Sequence, residues 1–246
     1  KKLPPVERLR AAAVPIALIS VSSCEGPAGP AGGQIPEGDR VAWFNGLGYT
    51  VDLYFPDCDS LISAACVTGI APNDLVDLGG GMLGVVNSLS ASFQAFELDA
   101  SGALLFEVDL GAGSNPWSCA MDPVTGLIYV SLLQESLLAV VDPDAQAVVD
   151  TIQVMQNPYG VAVVGGMLFV SHGNWPDPSV TGGVTVYDAG TGSPVDTIAA
   201  PDNTTGLRYF PSTGMLHAVS TTYTGDGAIT VIDPSTLGVH STIQTG

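Results

Sequence analysis

The side chains best suited to chemistry cluster in one polar stretch, Ser171-His172-Gly173-Asn174-Trp175-Pro176-Asp177-Pro178-Ser179-Val180-Thr181-Gly182-Gly183. His172, Asn174, Trp175 and Asp177 supply donors, acceptors and a flat stacking surface, a set suited to a ligand or a cation. Trp117, Tyr159 and Tyr223 stand in neighbouring polar stretches and extend the candidate binding set. For a divalent cation such as calcium, the candidate ligands are the carboxylates of Asp74, Asp77 and Asp226. Catalysis finds less support. His172, His217 and His240 are scattered and form neither a triad nor a metal set. Cys58, Cys66 and Cys119 lack a C-x2-C spacing, and three thiols leave one over in any pairing.

Charge narrows the partners. Only Arg40 and Arg208 are basic after Cys24, against all but one of the 24 acidic residues. Such a body repels nucleic-acid phosphates and anionic lipid headgroups. The remaining basic residues, Lys1, Lys2, Arg8 and Arg10, precede an apolar run over 11–23 that is too short for a comfortable membrane span. This pattern reads as a signal peptide over 1–23. Val21-Ser22-Ser23-Cys24 resembles a bacterial lipobox, which implies a lipidated Cys24 and a membrane anchor on the periplasmic or cell-surface side. Residues 24–40, with two Gly-Pro-Ala triplets, read as a tether.

The elements that must position the candidate residues follow from a repeat over 41–246. Asp99, Asp142, Asp188 and Asp233 recur at intervals of 43, 46 and 45 residues, each followed by Pro or Gly turn chemistry. These aspartates are expected to cap turns. Asn73, Asn115, Asn157 and Asn203 recur with a similar period and are expected to be backbone-bonding residues that open each unit. One unit divides into strands 118–121, 127–132, 137–141 and 147–154, the middle two nearly all apolar and so buried on both faces. The expected fold is therefore all-β, a β-propeller of four-stranded antiparallel blades with about five blades present. The first unit supplies strands over 41–45, 50–55 and 61–67 and is expected to lack its innermost strand. The ring is expected to be incomplete, with missing blades or a partner covering its ends.

Leu127-Ile128-Tyr129-Val130-Ser131, Leu138-Ala139-Val140-Val141-Asp142 and Val149-Asp150-Thr151-Ile152-Gln153-Val154 resemble the YVTN-type repeat of YncE-like bacterial propellers. Met167-Leu168-Phe169-Val170-Ser171 and Ala228-Ile229-Thr230-Val231-Ile232-Asp233 repeat the pattern. Ser131, Ser171 and Ser220 are aligned with the family's Asn, which Asn45 and Asn87 retain. Ala120, Asp122 and Gly126 also match part of a quinoprotein docking repeat, but Val130 stands in place of its Trp, so only the turn geometry is shared.

The resulting expectation is an exported, lipid-anchored binding or scaffold protein. It would engage a protein, glycan or small molecule through loops at one end of the blades. The alternative is a lactonase-type hydrolase with a divalent metal in the central channel.

Overall fold

The computed structural model describes residues 17–19, 40–56, 59–98, 102–174, 182–221 and 226–245. Among these residues the chain forms twenty strands and no α-helix. The first blade holds β1 (Ala17–Ile19), β2 (Arg40–Asn45), β3 (Thr50–Phe55) and β4 (Ser60–Val67). The second holds β5 (Pro72–Gly79), β6 (Met82–Asn87), β7 (Ser92–Glu97) and β8 (Leu104–Asp109). The third holds β9 (Pro116–Met121), β10 (Ile128–Leu132), β11 (Leu137–Asp142) and β12 (Ala147–Gln153). The fourth holds β13 (Pro158–Val164), β14 (Met167–His172), β15 (Gly183–Asp188) and β16 (Pro194–Ala199). The fifth holds β17 (Thr204–Phe210), β18 (Met215–Ser220), β19 (Ala228–Asp233) and β20 (Gly238–Gln244). Each is an antiparallel meander in chain order, the arrangement of a β-propeller blade.

The apolar runs behave as their pattern requires. A layer of buried side chains lies between each consecutive pair of blades. Phe44, Leu53 and Phe55 meet Leu83 and Phe96. Phe93 and Val108 meet Ile128 and Val141. Leu138 and Ile152 meet Leu168 and Tyr187. Phe169 and Val186 meet Leu216 and Ile232. In the fourth blade, β14 and β15 are buried nearly throughout. In the first blade, β3 is buried only at alternate residues, and β18 of the fifth largely follows suit. The two end blades thus bury one face each.

The innermost strands β5, β9, β13 and β17 pack in succession around one axis. Each is entered through a residue in the left-handed backbone region: Ala71 (φ 57°), Asn115 (φ 50°), Asn157 (φ 54°) and Asn203 (φ 60°). Asparagine tolerates that region better than most residues. The carbonyl of each accepts the N–H of the residue just past the second strand, namely Ser88, Leu133, Gly173 and Thr221. The expected backbone-bonding role therefore holds for three of the four asparagines. Asn73 is corrected: Ala71 fills its place, and Asn73 lies inside β5. Asn73 matched its counterparts in residue type and repeat spacing, but the left-handed position of that unit falls two residues earlier.

Three further points follow from the pairing registers. The first blade does not lack its innermost strand, because Ala17–Ile19 pairs antiparallel with Ile19 opposite Arg40. That strand comes from well upstream, inside the stretch read as a signal peptide, so a search at the repeat spacing passes it by. The second strands of blades two to five end at equivalent positions. Asn87, Leu132, His172 and Ser220 each pair with the first residue of an innermost strand. Ser131 and Ser171 therefore stand one place before that end of their strands, whereas Asn87 and Ser220 occupy it. Finally, Asp142, Asp188 and Asp233 cap turns as expected, accepting N–H bonds from Asp144, Gly190 and Ser235. Asp99 lies outside the described residues.

Two predictions follow. Asn157→Gly is expected to leave stability nearly unchanged, whereas Asn157→Val should cost about 1–2 kcal/mol in urea unfolding, since only the latter opposes a positive φ. The Thr191 hydroxyl and N–H groups of Thr191 and Gly190 hold the Asp188 carboxyl below the usual range, as the Ser235 hydroxyl and N–H do for Asp233. A carboxyl depressed on folding adds stability above its unfolded value, about 3.9, and loses it as pH falls through the folded value. The double variant Asp188→Asn, Asp233→Asn keeps an acceptor but does not titrate. Its stability should fall less steeply than wild type below about pH 4 in acid unfolding.

Candidate functional site

At the end where β5, β9, β13 and β17 begin, each of these four carries a register shift against its neighbour: between Pro72 and Asp74, between the partners of Val130 and Leu132, between Pro158 and Val161, and between Thr204 and Gly206. A bulge leaves one residue unpaired, bends the strand and re-aims its side chain. The bulged residues Asn73, Trp117 and Thr205 consequently surround a cavity of about 210 Å³ at the channel mouth, together with Asp74, Gly160 and Arg208. Local polar groups hold the bulges in place. The buried Ser131 hydroxyl accepts the Ser118 N–H at 3.1 Å and donates to the Tyr159 carbonyl of the next blade at 2.6 Å. The Ser171 hydroxyl accepts the Gly160 N–H at 2.8 Å.

Asp74 is the electrostatic centre of this mouth. Its Oδ2 accepts the Ser118 hydroxyl at 2.6 Å and the Cys119 N–H at 3.1 Å, both from the third blade. Its Oδ1 accepts the Leu75 N–H at 2.9 Å and lies 3.8 Å from the Arg208 guanidinium, which reaches across from the fifth blade. Burial pushes the Asp74 carboxyl above its usual value; Arg208, the Ser118 hydroxyl and the two N–H groups oppose that rise without cancelling it. The neighbouring Cys119 thiol is pushed well up by its own burial and by Asp74. It is a packed, protonated side chain and not a nucleophile.

The sequence-derived candidates divide three ways. Trp117 lines the mouth, and Tyr159 packs against it edge-on, with ring centroids 5.3 Å apart. Tyr159 is itself buried, so it supports Trp117 and does not face solvent. His172 is not on a loop: it ends β14, is 3% exposed, and its Nε2 lies 3.0 Å from the Thr185 hydroxyl. That follows from its place at the end of the second strand, opposite Pro158, between stacked blades. Asn174 is half-buried just beyond it. Trp175, Asp177 and Tyr223 lie outside the described residues, as do Cys24 and Cys58.

The acidic candidates do not converge. Asp74 and Asp77 sit three apart on β5 and point to opposite faces, one opposite Val86 and the other opposite Leu83. Asp77 caps a turn by accepting the Gly79 N–H. Asp226 is exposed at the far end of a loop. Among the described residues, no three His, Cys, Asp or Glu side chains could hold a metal ion together. Asp122, from the partial quinoprotein pattern, accepts the Val124 N–H and the Thr125 hydroxyl, which is turn geometry alone. Cys66 and Cys119 are buried.

The residue that sequence reasoning missed is Arg208. Its signal was present, as one of two cations in an acidic body, but its spacing from Asp74 spans three repeats, and only the curvature of the blades brings the two together.

No family model and no curated protein matches the chain. Among solved structures it is similar to "Kuenenia stuttgartiensis Hydrazine Synthase", at 18% identity and a TM-score of 0.61, covering 70% of this chain. The chain spans about half the length of that structure, 49%. At this identity the likeness bears on fold alone, and it agrees with the blade architecture.

Asp74→Ala should leave the Ser118 hydroxyl and the Cys119 and Leu75 N–H groups without an acceptor. The expected loss is on the order of 2–3 kcal/mol in urea unfolding. Ser118→Ala, which leaves the carboxylate its remaining donors, should cost about 1 kcal/mol.

Proposed function

We propose that this protein is an exported, lipid-anchored β-propeller of YVTN type that binds a partner or ligand at the channel-mouth end of its blades. One observation carries the binding reading. The bulged ends of three innermost strands turn Asn73, Trp117 and Thr205 toward a single cavity that Arg208 also lines. Ligand sites favour such concave places with a few convergent polar groups on an apolar wall. The long stretch 171–183 leaves the second strand of the fourth blade at the same end, which keeps it a candidate part of the binding surface. A hydrolase reading needs converging metal ligands, and the arrangement of Asp74, Asp77 and Asp226 gives it no footing.

Support for export and the anchor comes from the basic start, the apolar run over 11–23 and the Val21-Ser22-Ser23-Cys24 motif. The YVTN kinship rests on the repeated strand motifs, with Ser131, Ser171 and Ser220 standing where the family has Asn. The anchor has a structural consequence. Cleavage before Cys24 removes Ala17–Ile19, and with it the strand paired to β2. The mature first blade would then keep three strands and an open inner edge at Arg40–Ala42.

Two outcomes test these readings. Cys24→Ala should move the protein from the membrane to the soluble fraction and abolish incorporation of labelled fatty acid. A mature protein that retains Ala17–Ile19 by mass spectrometry would sink the anchor reading. For binding, Trp117→Ala should abolish retention of the partners that wild-type protein captures from envelope extracts. An unchanged set of retained partners would falsify the channel-mouth assignment.

A further inference from the structure

The mouth of the channel is unusual for what it leaves unspent. Arg208 has a side chain 49% exposed, and its nitrogen lies 3.8 Å from Asp74 Oδ1, beyond hydrogen-bonding reach. Its five N–H donors therefore find no acceptor among the described residues. The Asn73 Nδ2 group is buried beside the same cavity and has no hydrogen-bond partner. The Trp117 side chain lines the same cavity. The acceptor at this mouth, Asp74, is largely committed to Ser118, Cys119 and Leu75. A site with unmatched donors and a spoken-for acceptor is complementary to a ligand that only accepts.

From this geometry we infer that the cavity is a binding site for a small monocarboxylate, held by the guanidinium fork of Arg208 and the amide of Asn73, with its apolar part against Trp117, Leu207 and Val219. The inference deepens the binding reading above and rests on it. Planar guanidinium pairs with a carboxylate through two parallel N–H bonds, which a point cation cannot reproduce. Charge sets the number of negative groups. One arginine faces the cavity beside a carboxylate, in a body where acids greatly outnumber bases, so a dianion would meet uncompensated repulsion. Size sets the rest. A cavity of about 210 Å³ holds roughly seven waters at about 30 Å³ each, which suits an acid of a few carbons and not a drug-sized molecule. Asp74 also lines the cavity, 3.8 Å from the guanidinium, and its bonds to Ser118, Cys119 and Leu75 hold it there.

Calorimetric titration of the purified protein in a chloride buffer tests this, with propionate as the probe and propionamide, propylamine and phosphate as comparisons. The expected result is one saturable propionate site, with no saturable binding of the neutral or cationic isosteres and weaker binding of phosphate. Arg208→Lys keeps the charge but loses the fork, and should weaken propionate by about tenfold or more. Arg208→Gln should abolish binding. Asn73→Leu should weaken it while leaving the charge intact. Thermal unfolding of each variant separates loss of the site from loss of the fold, and Arg208→Lys is the variant expected to unfold normally. The inference is overturned if propionamide binds as well as propionate, if phosphate binds more tightly, if folded Arg208→Gln retains binding, or if propionate fails to saturate. Failure here with Trp117→Ala still abolishing partner capture would leave the binding reading standing and remove only the carboxylate.

Discussion

A four-stranded sheet with two apolar faces cannot bury both by itself, and this protein is built around that constraint. The second and third strands of the middle blades carry Val, Leu, Ile and Phe on both sides, and the side chains come to rest in layers between blades. Each layer takes contributions from two successive repeats, so the stability of any blade depends on its neighbours. At roughly 25 cal/mol for each Å² of apolar surface removed from water, such layers outweigh any single polar contact. Everything else in the fold is arranged so that stacking is not obstructed.

Polar groups are therefore confined to the ends of the strands, where they settle the backbone. The turn aspartates close hairpins at one end. At the other, left-handed asparagines, bulges and buried serines hold each innermost strand to the second strand of its own blade and, through the Ser131 hydroxyl, to the next blade. The bulges matter most for function. They break the in-and-out alternation of β5, β9, β13 and β17 at their first turns, turning side chains toward the axis that a regular strand would bury between blades. The Asp74 carboxylate, tied to the third blade and faced by Arg208 of the fifth, sits at that junction.

Legibility varied with sequence distance. The capping role of Asp142, Asp188 and Asp233 could be read directly, because an Asx-type turn uses only the next few residues. The paired role of Asn115, Asn157 and Asn203 was also readable, yet Asn73 was assigned to the same role when it lines the channel. His172 read as a loop ligand and proved to be a buried strand residue, since β14 runs on to it and pairs it with Pro158 and Gly183. The three carboxylates proposed for a cation did not assemble, because alternation sends Asp74 and Asp77 to opposite sides of β5.

The sequence by itself determined the blade. Its period, turns and apolar runs are short-range features, and they specified four strands to a unit and burial on both faces. The tertiary structure alone decided which side chains meet across the axis. Whether Arg208 faces Asp74, whether Trp117 stands on Tyr159, and whether residues 17–19 complete the first blade all depend on how stacked sheets curve and where bulges shift the register. Those quantities accumulate over whole repeats, and no local spacing encodes them.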